Sequence, residues 1–216
     1  MNIPILFENE ECIVLNKPAG LAVQGGKEVK NSLDSILAEE FPRRPLLVHR
    51  LDKDTSGVIL VAKTKSSAAF FARVFGEKEN STGRILKQYQ AVSKGTLIPE
   101  SGCINAEIYI RGLAKKAETR YHLISIKNLP PLVSLFEIET GTGRMHQIRR
   151  HFAQTGAPLL GDDKYGDFTL NKSLHKTAGL KRLLLHASRL VIPEKEIDVS
   201  APLPDYFNSF IMKNEE

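Results

Sequence analysis

A chain of 216 residues, 42% hydrophobic and 25% charged, has an ordinary globular composition, which excludes collagen-like, coiled-coil and disordered classes. That length suits one large domain, or two small halves built around one core. Thirty Lys and Arg against 25 Asp and Glu leave a net charge of +5, a mild excess that favours a polyanionic partner only weakly.

The elements follow in chain order. Residues 1–11 alternate apolar and acidic side chains and lack the basic-then-apolar order of a signal peptide. Cys12-Ile13-Val14-Leu15 is a short β-branched run ending at Asn16-Lys17-Pro18-Ala19-Gly20, a strand entering a turn. Gly25-Gly26-Lys27 marks a loop. Leu33, Ile36, Leu37 and Phe41 recur at helical spacing behind Asn31-Ser32, so a short amphipathic helix stops before Pro42. Gly57 to Ala62 is an unbroken apolar run, the pattern of a buried strand. A helix is expected from Ser66 to Phe75, with Phe70, Phe71, Val74 and Phe75 toward a core, and a polar, mobile loop over 77–84.

Four alternating runs come next: Gln88–Ser93, Ile104–Ile110, Arg120–Ile126 and Val133–Glu139. They suggest an antiparallel meander. A helix from Gly143 to about Thr155 would place Met145, Ile148 and Phe152 on one face and stop at Gly156. Arg182–Ile192 reads as a strand and Tyr206–Met212 as a terminal helix. Strands in runs with a few inserted helices predict an α+β fold around a largely antiparallel, mixed sheet.

Several chemistries lack their residues. Cys12 and Cys103 have no CxxC partner, so neither a disulfide framework nor a thiolate metal site is supported. The six histidines contain no spaced ligand set, and there is no Gly-x-Ser-x-Gly elbow. Gly141-x-Gly143 lacks the third glycine of a dinucleotide site, and Gly25-Gly26-Lys27 lacks the rest of a phosphate loop. No stretch approaches the ~20 apolar residues that span a bilayer. The expectation is a soluble, cytoplasmic protein.

Two clusters could carry chemistry. His49-Arg50-Leu51-Asp52-Lys53-Asp54-Thr55-Ser56-Gly57 immediately precedes the buried strand, a rigid mount for a reactive group. Its cations favour an ionised Asp52, an anion or nucleophile more than a proton donor. A turn of solvated charges is the alternative. In Gly143-Arg144-Met145-His146-Gln147-Ile148-Arg149, two arginines border the apolar stripe and could pair with a carboxylate or phosphate, or could be solvated on a basic surface helix. Tyr89 and Tyr165 stand beside Lys87 and Lys164, which suits stacking on a base and equally suits a sheet edge.

Taken together, His49-Arg50-Leu51-Asp52 with Thr55-Ser56-Gly57, Asn16-Lys17-Pro18-Ala19-Gly20, Lys87-Gln88-Tyr89-Gln90-Ala91, the Gly143–Arg149 run, Gly161-Asp162-Asp163-Lys164-Tyr165-Gly166 and Arg182-Leu183-Leu184-Leu185-His186-Ala187 resemble, in order, the motifs of the RluA family of pseudouridine synthases. The resemblance covers nearly the whole chain. It implies the family's catalytic fold with a central active-site cleft, one catalytic domain over 1–216 without a preceding RNA-binding domain, and isomerisation of uridine in RNA without cofactor or metal.

By the same resemblance, Asp52 is the catalytic carboxylate, Arg149 its partner, and Tyr89 packs on the flipped uracil and can take the C5 proton. RNA contacts are implied for His49, Arg50, Thr55, Lys87, Arg144 and Gln147, with Arg50 filling the vacated space or gripping RNA. Residues 22–26 and 160–166 look closest to the branch that modifies large-subunit ribosomal RNA. Transfer RNA is the alternative substrate, and a non-catalytic RNA-binding protein the alternative class. Neither a membrane nor an obligate protein partner is implied, and a monomer is expected. Met145 stands where the family commonly has Thr or Ser.

Overall fold

The computed structural model describes residues 3–26, 31–76, 85–128 and 131–212. The loop expected over 77–84 and Lys27 of the glycine loop lie outside them. The chain divides into two compact units, Met1–Lys87 with Ala187–Pro202, and Gln88–His186 with Leu203–Glu216.

In the first unit, β1 (Ile5–Glu8), β2 (Cys12–Lys17), β3 (Leu46–Leu47) and β4 (Ser56–Ala62) are joined by most of β11 (Leu185–Ile192) and by β12 (Ile197–Ser200). The order is β1-β2-β4-β11, with β3 on β4 and β12 on β11. All seven residues of β4 are buried, which explains why its sequence does not alternate. Cys12, Val14, Val58 and Leu60 pack with Phe71 and Val74 from α2 (Lys65–Gly76) and with Leu190 and Ile192. Phe70 and Phe75 cover this cluster from its edge.

Gly57 has φ of +107°, and a Cβ there would overlap the Ala187 backbone. Only glycine permits both the left-handed backbone and the close approach. The first helix, α1 (Leu33–Glu40), starts at Ser32 in a reciprocal capping arrangement with Ser35 and ends where Phe41 turns extended ahead of Pro42.

In the second unit the main sheet is β5 (Leu86–Lys94), β10 (Val133–Thr140), β9 (Glu118–Lys127) and β6 (Ser101–Asn105), in that order and antiparallel. It is not the expected meander, because β5 pairs with the last strand of the series rather than with its successor. The run Ile104–Ile110 is also two strands, the end of β6 and β7 (Ile108–Ile110). The latter pairs with β8 (Leu113–Lys115) in a separate hairpin.

Phe136, Ile138, Phe152, Leu159 and Leu183 form one core of this unit, and Leu160, Leu174, Leu184, Phe207 and Phe210 another. Among the described residues three helices belong here: α3 (Gln147–Gln154), α4 (Phe168–Thr177) and α5 (Asp205–Met212). Periodicity did not announce α4, which Asp167 caps through the amide of Leu170. The start of α3 is a correction. The chain from Gly143 to His146 is a turn, His146 has φ of 54°, and the helix begins at Gln147. Met145 therefore leaves the apolar face and is exposed.

Candidate active site

In the first unit the reactive candidates sit on the turn that feeds β4. Asp52 is partly buried, and its carbonyl accepts the Thr55 amide at 3.2 Å. The carbonyl of the next residue, Lys53, accepts the Gly20 amide at 2.9 Å and the Lys17 ammonium at 3.0 Å. Lys17 is wholly buried and also donates to the carbonyls of Leu21 at 2.8 Å and Pro18 at 3.0 Å. Burial lowers its pKa to about 8, while the carboxylates of Asp54 and Asp52 pull it back upward. Lys17 thus ties the Asp52 turn to the Pro18–Leu21 turn. Sequence reasoning gave it no role, although a lysine closing a buried strand was the available signal.

His49 braces this turn. Leu60 donates its amide to Nε2 at 2.9 Å, and the ring stacks on Phe75 with centroids 3.9 Å apart. Burial, and secondarily the charge of Lys87, push its pKa down to about 3, so Nε2 stays an acceptor at neutral pH. The resemblance implies an RNA contact for His49; in this structure its Nε2 is taken by the Leu60 amide. Thr55, for which the resemblance also implies an RNA contact, is 2% exposed. Arg50 is exposed and available to a ligand.

In the second unit, Tyr89 on β5 lies opposite Ile138 and packs against the cluster that Ile148 and Phe152 of α3 also line. Arg149, on the same helix, is 4% exposed. It donates Nε and Nη2 to the two carboxylate oxygens of Asp162, at 2.8 and 2.7 Å, and Nη2 also reaches Asp163 at 2.9 Å. Its guanidinium lies 5.5 Å from the centre of the Tyr165 ring, whose hydroxyl meets His146 Nδ1 at 3.1 Å.

Asp162 is completely buried and accepts the amides of Lys164 and Tyr165 as well. Burial alone would raise its pKa; the bonds from Arg149, Tyr165 and Lys164 and the charge of Arg149 reverse that and hold it below the usual carboxylate range. Asp162 is the second positioning residue that sequence reasoning left without a role.

Gln147, for which the resemblance implies an RNA contact, turns inward. At 4% exposure, its amide oxygen accepts the Thr142 hydroxyl and the Arg144 amide, while its nitrogen donates to the Glu118 carbonyl and Thr119 hydroxyl. No capacity is left for a ligand. Arg144 is partly exposed and donates Nε to the Lys116 carbonyl at 3.4 Å. Lys87 is partly buried on β5. The first unit brings together His49, Arg50, Asp52 and Thr55, and the second gathers Arg144, Gln147 and Arg149 around the start of α3. Among the described residues no His, Cys, Asp and Glu side chains group to hold a metal ion, and no helix is long and apolar enough to cross a membrane.

Residues 11–154 match the family described as RNA pseudouridylate synthase. The chain is 36% identical over 230 residues to Ribosomal large subunit pseudouridine synthase C of Rickettsia prowazekii (strain Madrid E), covering 96% of this chain and 70% of that protein. The protein of the same name from Haemophilus ducreyi (strain 35000HP / ATCC 700724) is 34% identical, with 97% and 68% covered. Among solved structures, Human RNA Pseudouridylate Synthase Domain Containing 4 superposes with a TM-score of 0.78 at 26% identity, covering 96% of this chain and 91% of that one. Human RNA Pseudouridylate Synthase Domain Containing 1 follows with a TM-score of 0.73, 26% identity, and 94% and 84% coverage.

Proposed function

The chain belongs to the RNA pseudouridylate synthase family, and from that premise we propose that it isomerises uridine in large-subunit ribosomal RNA, with Asp52 as the catalytic carboxylate. The names borne by its relatives support the ribosomal substrate. The placement of Asp52 on a turn pinned by a buried ammonium supports the catalytic role. The two compact units act, in this reading, as one catalytic domain.

The reaction breaks the bond between C1′ and N1, turns the uracil, joins C1′ to C5, loses the C5 proton to solvent and takes up a proton at N1, so atoms balance without a cofactor. Positive charge develops at the sugar as the base leaves. A carboxylate held close to C1′ stabilises that charge, as in glycoside cleavage. Such help requires a fixed side chain, and the bonds converging on the Lys53 carbonyl fix the turn that carries Asp52. Arg149 is its assigned cation, its own plane set by Asp162. Tyr89 receives the uracil face. A paired base is out of reach of any of these groups, so the uridine must be unstacked or extruded. Arg50, exposed beside Asp52, takes the RNA.

Tritium release from RNA labelled at C5 of uridine tests the proposal. Wild-type protein should release tritium from large-subunit ribosomal RNA and not from transfer RNA, and Asp52→Asn should release none. Release by Asp52→Asn would remove Asp52 from the chemistry, and release from transfer RNA alone would overturn the substrate.

A further inference from the structure

Between β6 and β9 the chain leaves the main sheet of the second unit to form the β7–β8 hairpin, in which every residue from Arg111 to Lys116 is exposed. Its loop, Arg111-Gly112, has φ of 50° and 79°. That pattern marks a tight hairpin turn whose usual occupants are Asn and Gly, so an arginine occupies the tip where a smaller polar residue is expected.

The hairpin is too short to hold itself. Only Ile108 is buried, and α3 with its preceding turn supplies the support. Arg150 donates Nη1 to the Tyr109 carbonyl at 2.9 Å, and Arg144 donates Nε to the Lys116 carbonyl. The same helix carries Arg149. Arg111, Lys115, Lys116, Arg144 and Arg150 thus gather on one projection, and among the described residues none of them is paired with a carboxylate. Tyr109 on the same hairpin is 61% exposed. Glu107 is the acid nearest in sequence to the hairpin's base, and Glu118 is taken by Arg120 at 2.7 Å.

We propose that the β7–β8 hairpin is an RNA-binding clamp, in which Arg111, Lys115 and Lys116 take backbone phosphates and Tyr109 stacks on an unpaired base. This rests on the reading of RNA as substrate and adds where the strand is gripped. Unpaired cations and an exposed aromatic ring carried on one projection are what single-stranded nucleic acid recognises: phosphates to the charges, a base to the ring. Anchoring to α3 links the grip to the helix that holds Arg149.

The test is binding of the full chain to a uridine-rich single-stranded RNA over a range of KCl concentrations. Each phosphate contact on a single strand contributes about 0.7 to the slope of log K against log salt. The triple substitution Arg111→Ala, Lys115→Ala, Lys116→Ala should therefore flatten the slope by about 2, while exchanging the same residues as Arg111→Lys, Lys115→Arg, Lys116→Arg should keep it. Lys172→Ala, Lys176→Ala, Lys181→Ala removes the same charge elsewhere and should leave the slope unchanged. Tyr109→Ala should weaken binding by about 5- to 100-fold without changing the slope.

An unaltered slope in the first variant, or an equal loss in the Lys172, Lys176 and Lys181 variant, overturns the clamp. Tritium release by the wild type, measured on the same preparations, separates this from the reaction. Release with an unaltered slope discards the clamp alone, whereas a flattened slope without release keeps the clamp and discards the isomerase reading.

Discussion

Removing the Asp162 carboxylate would strand a buried cation. Asp162 accepts four donors, two nitrogens of Arg149 and the amides of Lys164 and Tyr165, all between 2.7 and 2.9 Å. In Asp162→Ala, Arg149 would keep Asp163, whose side chain is 77% exposed and too wet to compensate. Breaking a buried pair by deleting one partner costs about 3–5 kcal/mol. For a chain of this size each kcal/mol lowers the melting temperature by about 2–4 °C, so a fall of about 6–20 °C is expected by calorimetry. The double variant Arg149→Met, Asp162→Leu removes both charges and should recover part of the loss. It cannot recover all of it, because the amides of Lys164 and Tyr165 stay without acceptors. The sign with pH follows from the lowered carboxyl pKa: the pair stabilises above the ordinary carboxylate range and is lost as pH falls through the lower folded value, so wild type and Asp162→Ala should converge only in strong acid. A cost below about 1 kcal/mol for Asp162→Ala, or a double variant no more stable than the single one, would refute the reasoning.

Two further outcomes follow from the first unit. Gly57→Ala forces a Cβ onto the Ala187 backbone at a positive φ, and should cost about 3 kcal/mol or more in urea unfolding; a change under about 1 kcal/mol would mean that β4 and Ala187 separate easily. His49 has a folded pKa of about 3 against an ordinary 6.5, so between these values the unfolded chain binds a proton that the folded one refuses. Stability should therefore fall as pH drops, by about 2 kcal/mol from pH 6.5 to 5 on this account. His49→Gln keeps an acceptor for the Leu60 amide and should lose that portion of the acid sensitivity, whereas identical pH profiles would show that His49 does not titrate as argued.

What the sequence made legible was what depends on neighbours along the chain. The uninterrupted apolar run of β4, the spacing and cap of α1 and the position of Asp52 ahead of a rigid strand all read correctly, because each is set within a few residues. The pairing of β5 with β10 did not, since alternation marks a strand without naming its partner. The β6–β7 break was hidden inside the apparent run Ile104–Ile110, although β6 ends at Asn105 and β7 begins at Ile108. At α3 the apolar spacing began too early, since it cannot detect that His146 adopts a left-handed backbone and delays the helix. For His49, Thr55 and Gln147 the sequence could not show which intramolecular partners they hold.

Those occupied polar groups share a purpose. Burying a polar side chain is unfavourable unless its bonds are complete, and in this protein they are completed largely by the backbone of irregular segments: Lys17 by the carbonyls of 18, 21 and 53, His151 by that of Ala106, Gln147 by Glu118 and Arg144, Asp162 by two amides. Helix and sheet ladders cannot satisfy these loops, so side chains do it, and the loops are set before any RNA arrives. The match at Lys17 is complete in number. Three carbonyls at 2.8 to 3.0 Å face a group that has three N–H donors only while it is charged. A neutral amine would leave one carbonyl unbonded, and glutamine would supply only two donors. With burial bringing the pKa to about 8, the third donor is present at neutral pH and lost above it, which places the integrity of the Asp52 turn on a single proton.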